Sequence, residues 1–366
     1  MKFTLDSNKF TEFSRIIGLT TKVTGTKSPL IRIEVSSNSI SVSGVGTIGK
    51  LSVVLPLNTD DQFQLGAVVV KEDFIRVIKA LPISKGDSIT FSLSKTNSML
   101  VKLSTGNSKY SVKCLAHETV PVIDFGQCQQ IESLQQQDLL NGLNAKLFCK
   151  TDSETSSFFS TVKIGFSRNS LSFVGSDVSV VMNINFNRTF KSTFDVLVPH
   201  TVASVIQAIL AVECKNLQLG ITNTGHCIIK SDLFRYMFST ITSKYPDISG
   251  LLNLKSKDVV SVGNQDFLEK LLIINSLSNL KIASIAIKDD MIIKNTDTDV
   301  IQAEEVLPYS SNIEYNFNVM LKPLILYLTQ IKSLNTKVLL SIDKFISIVA
   351  TVNDVTYTLV TTPVIK

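Results

Sequence analysis

The 366-residue sequence predicts an α+β fold of three tandem domains, each with two helices packed on antiparallel sheets. Short segments that alternate apolar and polar residues fill most of the chain. At nearly regular spacing, segments of helical period interrupt them; their predicted starts are Asn8, Lys71, Gln137, His200, Gln265 and Val319. Because two helices fall in each third of the chain, the six units group into three domains.

A longer repeat gives the same division. Strands led by Tyr110, Tyr236 and Tyr357 are each followed by an apolar piece that contains a proline. The predicted domains are residues 1–126, 127–250 and 251–366.

The strands are predicted from period-two alternation bounded by polar turns. Clear examples are Arg32–Gly44, Asp87–Lys95, Val162–Asp177, Ser284–Asn295 and Val338–Val352. A hairpin turn explains Gly44-Val45-Gly46 better than a dinucleotide loop does, because the third glycine is missing.

The helices carry apolar stripes that predict core packing. The third stripe is Leu140, Leu143 and Leu147, and the fifth is Leu268, Leu271 and Leu272. Pro323 predicts that the last helix begins near Lys322 or has a distorted first turn, because proline cannot lie deep in a helix.

Composition excludes several classes of protein. Hydrophobic residues make up 44% and charged residues 18%, which excludes disorder as the main state. The start of the chain, MKFTLDSNKF, is not an apolar signal segment, and no apolar run is long enough to span a membrane. We therefore expect a cytoplasmic protein.

The sequence predicts no metal, no cofactor and no catalysis. The five cysteines (114, 128, 149, 214 and 227) form no CxxC pair, so we expect reduced, mostly buried thiols. Phosphate-loop, GxSxG and HExxH motifs are missing. Asp60-Asp61 and Asp289-Asp290 are interpreted as acidic turns, and Glu304-Glu305 as a solvated loop.

Six segments occur along the chain in an order that is characteristic of one protein family. They are MKFTLDSNKF, VVVKEDFIRVIKALP, VLVPHTVASVIQAI, FSTITSKYPDIS, AEEVLPYSSNIEYNFNV and the terminal YTLVTTPVIK. In this order, and over the whole chain, the sequence resembles the beta sliding clamp of the bacterial replicative DNA polymerase. The order is far more specific than any single segment.

The resemblance implies three clamp domains that form half of a closed ring. Two chains would join head to tail, and twelve helices would line a hole threaded by duplex DNA. The clamp would tether the replicative polymerase and bind the clamp loader through short linear motifs. It would act near the nucleoid in the cytoplasm, or in an organelle if the source is eukaryotic.

Three departures mark the chain as divergent. The second domain has SDVSVVM at Ser176–Met182, where the family has a TDGHRLA-type stretch. The usual Met-rich ending is replaced by Thr362-Pro363-Val364-Ile365-Lys366. The loop after Asn295 has also lost the family pattern.

Basic residues on the helix faces away from the apolar stripes are candidates for contact with DNA phosphates. They are Lys9, Arg15, Arg76, Lys79, Lys146, Lys150, Lys270, Lys322 and Lys332, and the family's DNA-touching loop adds Lys22 and Lys27. A solvated surface is the alternative interpretation.

The resemblance also places a peptide pocket and a dimer interface. The pocket positions are Phe159, Ser176, Val181, Pro246, Leu251, Phe345, Ser347, Val360, Thr361, Thr362 and Pro363. The interface positions are Tyr110, Val112, Ile274 and Leu277. Ordinary interdomain packing is the alternative for the pocket.

Two other functions stay open. A clamp-fold scaffold would bind peptide partners without encircling DNA. An enzyme on a repetitive α+β scaffold would need a catalytic constellation, which the sequence does not offer.

Overall fold

The structure is a computed structural model that describes most of the chain. The described residues are 1–57, 63–81, 84–95, 99–150, 158–241, 244–253, 259–297, 301–309, 314–331, 337–342 and 344–364. Asp60, Asp61 and Lys332 lie outside them.

Seven α-helices form within the described residues. They are α1 (Ser7–Thr24), α2 (Glu72–Ala80), α3 (Gln136–Gly142), α4 (His200–Ile209), α5 (Ser249–Leu252), α6 (Asn264–Leu277) and α7 (Leu321–Ile331). The six predicted helices are confirmed, and the short α5 is an addition. Pro323 does lie in a first turn, where its missing N–H costs no hydrogen bond.

The strands confirm the predicted alternation. They are β1 (Lys2–Asp6), β2 (Ile31–Val35), β3 (Ser39–Val45), β4 (Lys50–Pro56), β5 (Phe63–Gln64), β6 (Gly66–Val70), β7 (Ser88–Lys95), β8 (Met99–Thr105), β9 (Ser108–Lys113), β10 (Cys128–Ser133), β11 (Thr161–Ser167), β12 (Ser170–Ser176), β13 (Val180–Asn187), β14 (Phe194–Pro199), β15 (Gln218–Thr222), β16 (His226–Lys230), β17 (Phe234–Ser239), β18 (Val259–Gly263), β19 (Ile282–Ile287), β20 (Asp290–Asn295), β21 (Glu304–Pro308), β22 (Tyr315–Met320), β23 (Lys337–Ile342), β24 (Ile346–Val352) and β25 (Val355–Thr361). β3 and β4 form the hairpin predicted around Gly44-Val45-Gly46.

The chain forms two compact units. The first contains Met1–Leu139 and Thr201–Thr240, and the second contains Leu140–His200 and Ile241–Lys366. The division into three domains remains a prediction. Since strands from distant parts of the sequence share sheets, a compact unit does not follow the order of the chain.

The first unit contains two antiparallel sheets. One has five strands in the order β5-β1-β7-β8-β9, and the other has eight in the order β10-β15-β16-β17-β4-β3-β2-β6. Phe3 stacks on Phe91 with ring centroids 4.5 Å apart, and Phe13 packs edge-on against Phe91. The predicted apolar stripe of α1 is therefore buried in a core of aromatic rings.

The second unit repeats this construction. Its eight-stranded sheet has the order β14-β11-β12-β13-β25-β24-β23-β18, and its smaller sheet has the order β21-β20-β19-β22. In both large sheets, two four-stranded halves join edge to edge, through β17–β4 in the first unit and β13–β25 in the second. The four-stranded half is thus the element that recurs in the two large sheets.

One helical stripe is wrong because the helix changes type. After α3, residues Leu143–Phe148 form a 3₁₀ helix with three residues per turn. The tighter turn rotates Leu147 outward, where it is 45% exposed, and buries Phe148. Gly175 permits the close approach of this segment, since a Cβ there would lie 2.0 Å from the carbonyl oxygen of Ala145.

The acidic pair Glu304-Glu305 is also corrected. These residues begin β21 instead of a loop, and their carboxylates pair with lysine ammonium groups. Glu304 lies 2.6 Å from Lys294, and Glu305 lies 2.6 Å from Lys270. Asp289-Asp290 does lie at the turn between β19 and β20, as predicted.

A buried hydrogen bond holds α7 against β25, the strand that ends beside the candidate site. The Tyr327 hydroxyl donates to the backbone oxygen of Tyr357 at 3.0 Å, and Tyr327 is fully buried. Tyr327→Phe is expected to lower the free energy of unfolding by about 1–3 kcal/mol, because the hydrogen bond is lost in a buried site. Urea unfolding followed by circular dichroism measures this. An unchanged unfolding midpoint would show that the hydroxyl contributes nothing.

Candidate partner-binding site

An apolar cluster forms on the large sheet of the second unit. Residues 244–253, which follow β17 in the sequence and are called the connecting chain here, cover it. We call it the connector cluster. Its buried members are Val174, Val181, Leu197, Tyr245 and Val360, and half-buried side chains around them are Phe158, Ile241, Ile248, Leu251, Leu252 and Phe345. Half-buried apolar side chains at the rim give it a face that a further apolar side chain can contact.

Strand register positions the floor of the cluster. Val181 on β13 lies directly opposite Val360 on β25, at the seam between the two sheet halves. Lys163 on β11 lies opposite both Val174 and Leu197. Because cross-strand partners share a face of the sheet, these side chains all point to the side that the connecting chain covers.

The connecting chain is held by its own turn. The Ser249 N–H donates to the Asp247 carboxylate at 2.9 Å, and hydrogen bonds from Ser249 lower the pKa of Asp247. The turn leads into α5, which brings Leu251 and Leu252 to the cluster.

Tyr245 is the aromatic centre of the cluster. Its ring meets the ring of Phe158 edge-on, with centroids 5.8 Å apart. The Lys163 ammonium lies 5.9 Å from the Tyr245 ring centroid and 2.9 Å from the Asp195 carboxylate. The Tyr245 hydroxyl is buried and has no hydrogen-bond partner among the described residues, and burial raises its pKa. A partner that offers an acceptor would satisfy this group.

The equivalent face of the first unit is closed by a different residue. Arg32 occupies the register position on β2 that Lys163 has on β11. Its guanidinium donates to the backbone oxygens of His117 and Val120, both at 3.0 Å, and so ties the backbone at these residues to the sheet. Lys163 instead lies over a ring. The two units have therefore diverged at this position, and the connector cluster belongs to the second unit.

The predicted pocket residues are placed as follows. Val181, Leu251, Phe345 and Val360 belong to the connector cluster. Three more lie on the adjoining strands, since Ser176 is opposite Val181, Ser347 is opposite Val360, and Thr361 is opposite Val180.

The remaining pocket residues lie nearby or outside. Phe159 packs on Phe158, with centroids 4.2 Å apart, and it is Phe158 that contacts the cluster. Pro246 and Thr362 are exposed, and Pro363 is half-buried. The Thr362 N–H donates to the Ser179 oxygen at 3.2 Å, which holds the residue after β25 against the start of β13.

Sequence reasoning missed several members of the connector cluster. They are Val174, Leu197, Tyr245, Phe158, Ile241, Ile248 and Leu252. Val174 on β12 and Leu197 on β14 break the period-two alternation, because each is apolar on the face that carries Ser172 or Asp195, and this break could have identified them. Nothing in the pattern separates Tyr245 from an ordinary loop residue.

Several predicted DNA-contacting residues are engaged within the chain. Arg15 is half-buried and donates to the Ala208 oxygen at 3.2 Å, and burial lowers its pKa. Arg76 lies 3.6 Å from Glu72 and 3.5 Å from Asp73. Lys270 pairs with Glu305, as described above. The charges of Arg76 and Lys270 are therefore partly compensated within the chain.

Other predicted cations differ in exposure. Lys146 is half-buried, and burial lowers its pKa. The pKa of His200, at the start of α4, is lowered by the burial of its own ring and then by the charge of Lys146. Lys9 is also half-buried. The exposed members are Lys22, Lys27, Lys79, Lys150 and Lys322. Lys22 lies in the last turn of α1 instead of the loop, and it carries basic charge at a helix C-terminus.

The predicted interface residues need one correction. Ile274 is fully buried on the core face of α6, so its side chain is not available to a second chain. The exposed apolar residues of α6 are Leu272 and Ile273, at 43% and 41%. Leu272, predicted in the fifth apolar stripe, therefore faces outward. Leu277 is half-buried.

On the first unit, the predicted interface strand is an edge. β9 ends the five-stranded sheet, with Tyr110 exposed at 36% and Val112 buried. On the second unit, β21 ends the smaller sheet and exposes Val306. Each unit thus presents an open strand edge with an exposed large side chain.

Paired helices and edge-joined antiparallel sheet halves are the construction of a DNA clamp domain, and the chain has this fold throughout. No protein-family model matches the sequence, and no curated protein does so either.

Solved structures do match over the full length. The DnaN sliding clamp (DNA polymerase III subunit beta) from Pseudomonas aeruginosa, bound to griselimycin, aligns with a TM-score of 0.84 at 15% identity, covering 100% of both chains. The DNA polymerase beta subunit of Streptococcus pyogenes aligns at 0.83 and 17%, also covering 100% of both chains. The sliding clamp of Bacillus subtilis gives 0.83 and 17%, covering 100% of this chain and 99% of that one. The protein has the fold of the bacterial beta sliding clamps with a strongly diverged sequence.

No helix in the described part of the chain is long and apolar enough to cross a membrane.

Proposed function

We propose that this protein is a DNA sliding clamp, a processivity factor without catalytic activity. The observation that carries the proposal is the clamp fold over the whole chain, with a partly open apolar cluster at a sheet seam. Two copies form a ring around duplex DNA in the cytoplasm, each built from three clamp domains with the predicted boundaries.

The ring closes head to tail between unlike surfaces. We infer that β9 of one copy meets the α6–β21 side of the next. The apolar contact comes from Tyr110 on one side and from Leu272 and Ile273 on the other. Such a contact between unlike surfaces closes only if the angles suit, and two copies suffice when each chain supplies half of the circle.

The connector cluster holds a short motif of the polymerase or the clamp loader. Its apolar rim accepts two or three side chains of an extended peptide, and the unpaired Tyr245 hydroxyl can bond a peptide carbonyl. A short peptide buries little area and must be ordered on binding, so we expect an affinity on the order of micromolar.

Retention on DNA should depend on topology. Loaded with the source organism's clamp loader and ATP, the protein is expected to stay on nicked circular plasmid in high salt and to leave after the plasmid is cut. Weak phosphate contacts alone would be lost in high salt on both forms. Gel filtration of labelled protein with each plasmid measures this. Equal retention on cut and circular DNA would contradict encirclement.

A scaffold that binds peptides without encircling DNA is the second candidate. It is favoured by the engagement of Arg15, Arg76 and Lys270 within the chain, which leaves fewer cations for phosphates. In the plasmid experiment, a scaffold would be lost from circular DNA as readily as from linear DNA while still capturing polymerase peptides.

A further inference from the structure

A cleft of about 390 Å³ lies in the first unit, beside the residues that lead into β10. Phe125, Ile131 and Ile228 line its apolar part, and Lys230 and Arg235 line its charged part. We call it the basic cleft. It belongs to a different unit from the connector cluster.

Strand register explains why the cleft has two halves. On the β16–β17 pair, Ile228 lies opposite Met237, and Lys230 lies opposite Arg235. Because alternate residues of a strand share a face, all four side chains point to the same side. Phe125 packs on the apolar pair, whereas in the basic pair Lys230 is half-buried and Arg235 is exposed.

The basic pair is left without compensation. Among the described residues, neither Lys230 nor Arg235 has an ion pair or a side-chain hydrogen bond. Their next cross-strand neighbours on this face are Gln218 and Ser52, which carry no charge. Like charges placed directly opposite each other destabilise a sheet. An acidic partner would remove that repulsion.

The cleft is also accessible at a sheet edge. β10 is the edge strand of the eight-stranded sheet, and its register shifts between Cys128 and Gln130. A bulge of this kind bends the strand locally. Gly126, next to the bulge, has a positive φ of 65° and donates its N–H to Asp124. Gly126 and Gln127 are exposed and line the cleft at this edge.

We propose that the basic cleft docks a short acidic segment of a partner protein. An apolar side chain of the segment packs against Ile131, which is half-buried at the apolar end of the cleft, and its carboxylates pair with Lys230 and Arg235. A peptide fits better than a nucleic acid, because the volume suits a few side chains and two cations do not form a track along a phosphate backbone. The proposal does not depend on ring formation or on the connector cluster.

The test uses the full-length protein and three fluorescein-labelled probes. The first is a short capped peptide that alternates Glu with Leu and Phe, the second has Gln for every Glu, and the third is single-stranded oligothymidine. Fluorescence anisotropy should show binding of the Glu peptide, at least tenfold weaker binding of the Gln peptide, and weakening in added salt. Lys230→Gln/Arg235→Gln should lower the affinity for the Glu peptide at least tenfold without lowering the melting temperature.

A matched variant and a methyl NMR map locate the site. Lys85→Gln/Lys191→Gln removes the same charge from exposed positions outside the cleft and should bind like the parent. In the spectrum, the methyl groups of Ile131 and Ile228 should shift, while those of Ile241 and Ile248 in the connector cluster should not.

Four results would overturn the proposal. They are no binding of the Glu peptide at concentrations on the order of a millimolar, equal binding by the Lys230→Gln/Arg235→Gln variant, methyl shifts confined to the connector cluster, and a clear preference for oligothymidine.

Discussion

Ile274→Lys is expected to unfold the second unit, whereas Ile273→Lys is expected to leave it folded and to yield monomers. The two residues are neighbours on α6, but Ile274 is fully buried and Ile273 is 41% exposed. A lysine at position 274 would leave a cavity and an unpaired buried ammonium group, at a cost of about 4–5 kcal/mol or more. This approaches the whole stability of a typical domain.

At position 273, the same lysine stays in water and costs the unit little. It would place an ammonium group in the proposed contact with Tyr110, and the small apolar contact does not offset the cost of taking that charge out of water. Circular dichroism melting measures the fold, and light scattering after gel filtration measures the mass. Val122→Lys, at a side chain 74% exposed on the first unit, controls for the added charge. A folded dimer of Ile273→Lys would place the ring contact elsewhere.

Helix α6 shows what a single sequence can and cannot predict. Its existence follows from its period, since Leu268 and Leu271 recur at helical spacing and are buried. Its orientation does not follow, because Leu272, Ile273 and Ile274 are consecutive and equally apolar. Hydrophobicity cannot separate the core face from an interface face when both are apolar. The resemblance assigned Ile274 to the interface, and hydrophobicity could not correct that assignment.

The apolar stripe predicted for the third helix was wrong for a different reason. Periodicity extends a stripe at 3.6 residues per turn, and the change to 3₁₀ geometry after Gly142 breaks that rule. The cause lies far away in sequence, in the close packing that Gly175 permits on β12. Tertiary contacts of this kind leave no local signal.

Cations were harder to assign than apolar residues. Helical spacing correctly puts Arg76 and Lys270 off the core face. Spacing does not show that Arg76 has acidic neighbours on its own helix, or that Lys270 reaches Glu305 on β21. An i, i+4 count could have identified the Glu72–Arg76 pair, but the Lys270 pair depends on the fold.

The connector cluster was only partly predictable. The seam residues Val181 and Val360 follow from the resemblance alone, and they lie opposite each other. Tyr245 lies between strands, where no period operates. Its importance comes from the contacts that it makes with the connector cluster in the second unit. In the first unit, Arg32 instead binds the backbone at His117 and Val120.

Leu251→Ala/Phe345→Ala is expected to weaken binding of a polymerase motif by roughly 10–100-fold while leaving the fold intact. Both side chains are half-buried on the rim of the connector cluster, so their removal opens no cavity in the core. Val360, which is 2% exposed, would be a poor test, because its loss would also destabilise the sheet.

The measurement uses overlapping labelled peptides that scan the source organism's replicative polymerase and clamp loader, read by fluorescence anisotropy. The strongest peptide binder is then titrated against the variant and against Leu65→Ala/Leu280→Ala, which shortens two exposed leucines outside the cluster. The control should bind like the parent, and both variants should melt near the parent's temperature. Because short peptides gain most of their affinity from a few buried anchors, the loss should be concentrated in the dissociation rate. An unchanged affinity in the Leu251→Ala/Phe345→Ala variant would show that the connector cluster is ordinary packing and that the motif binds elsewhere.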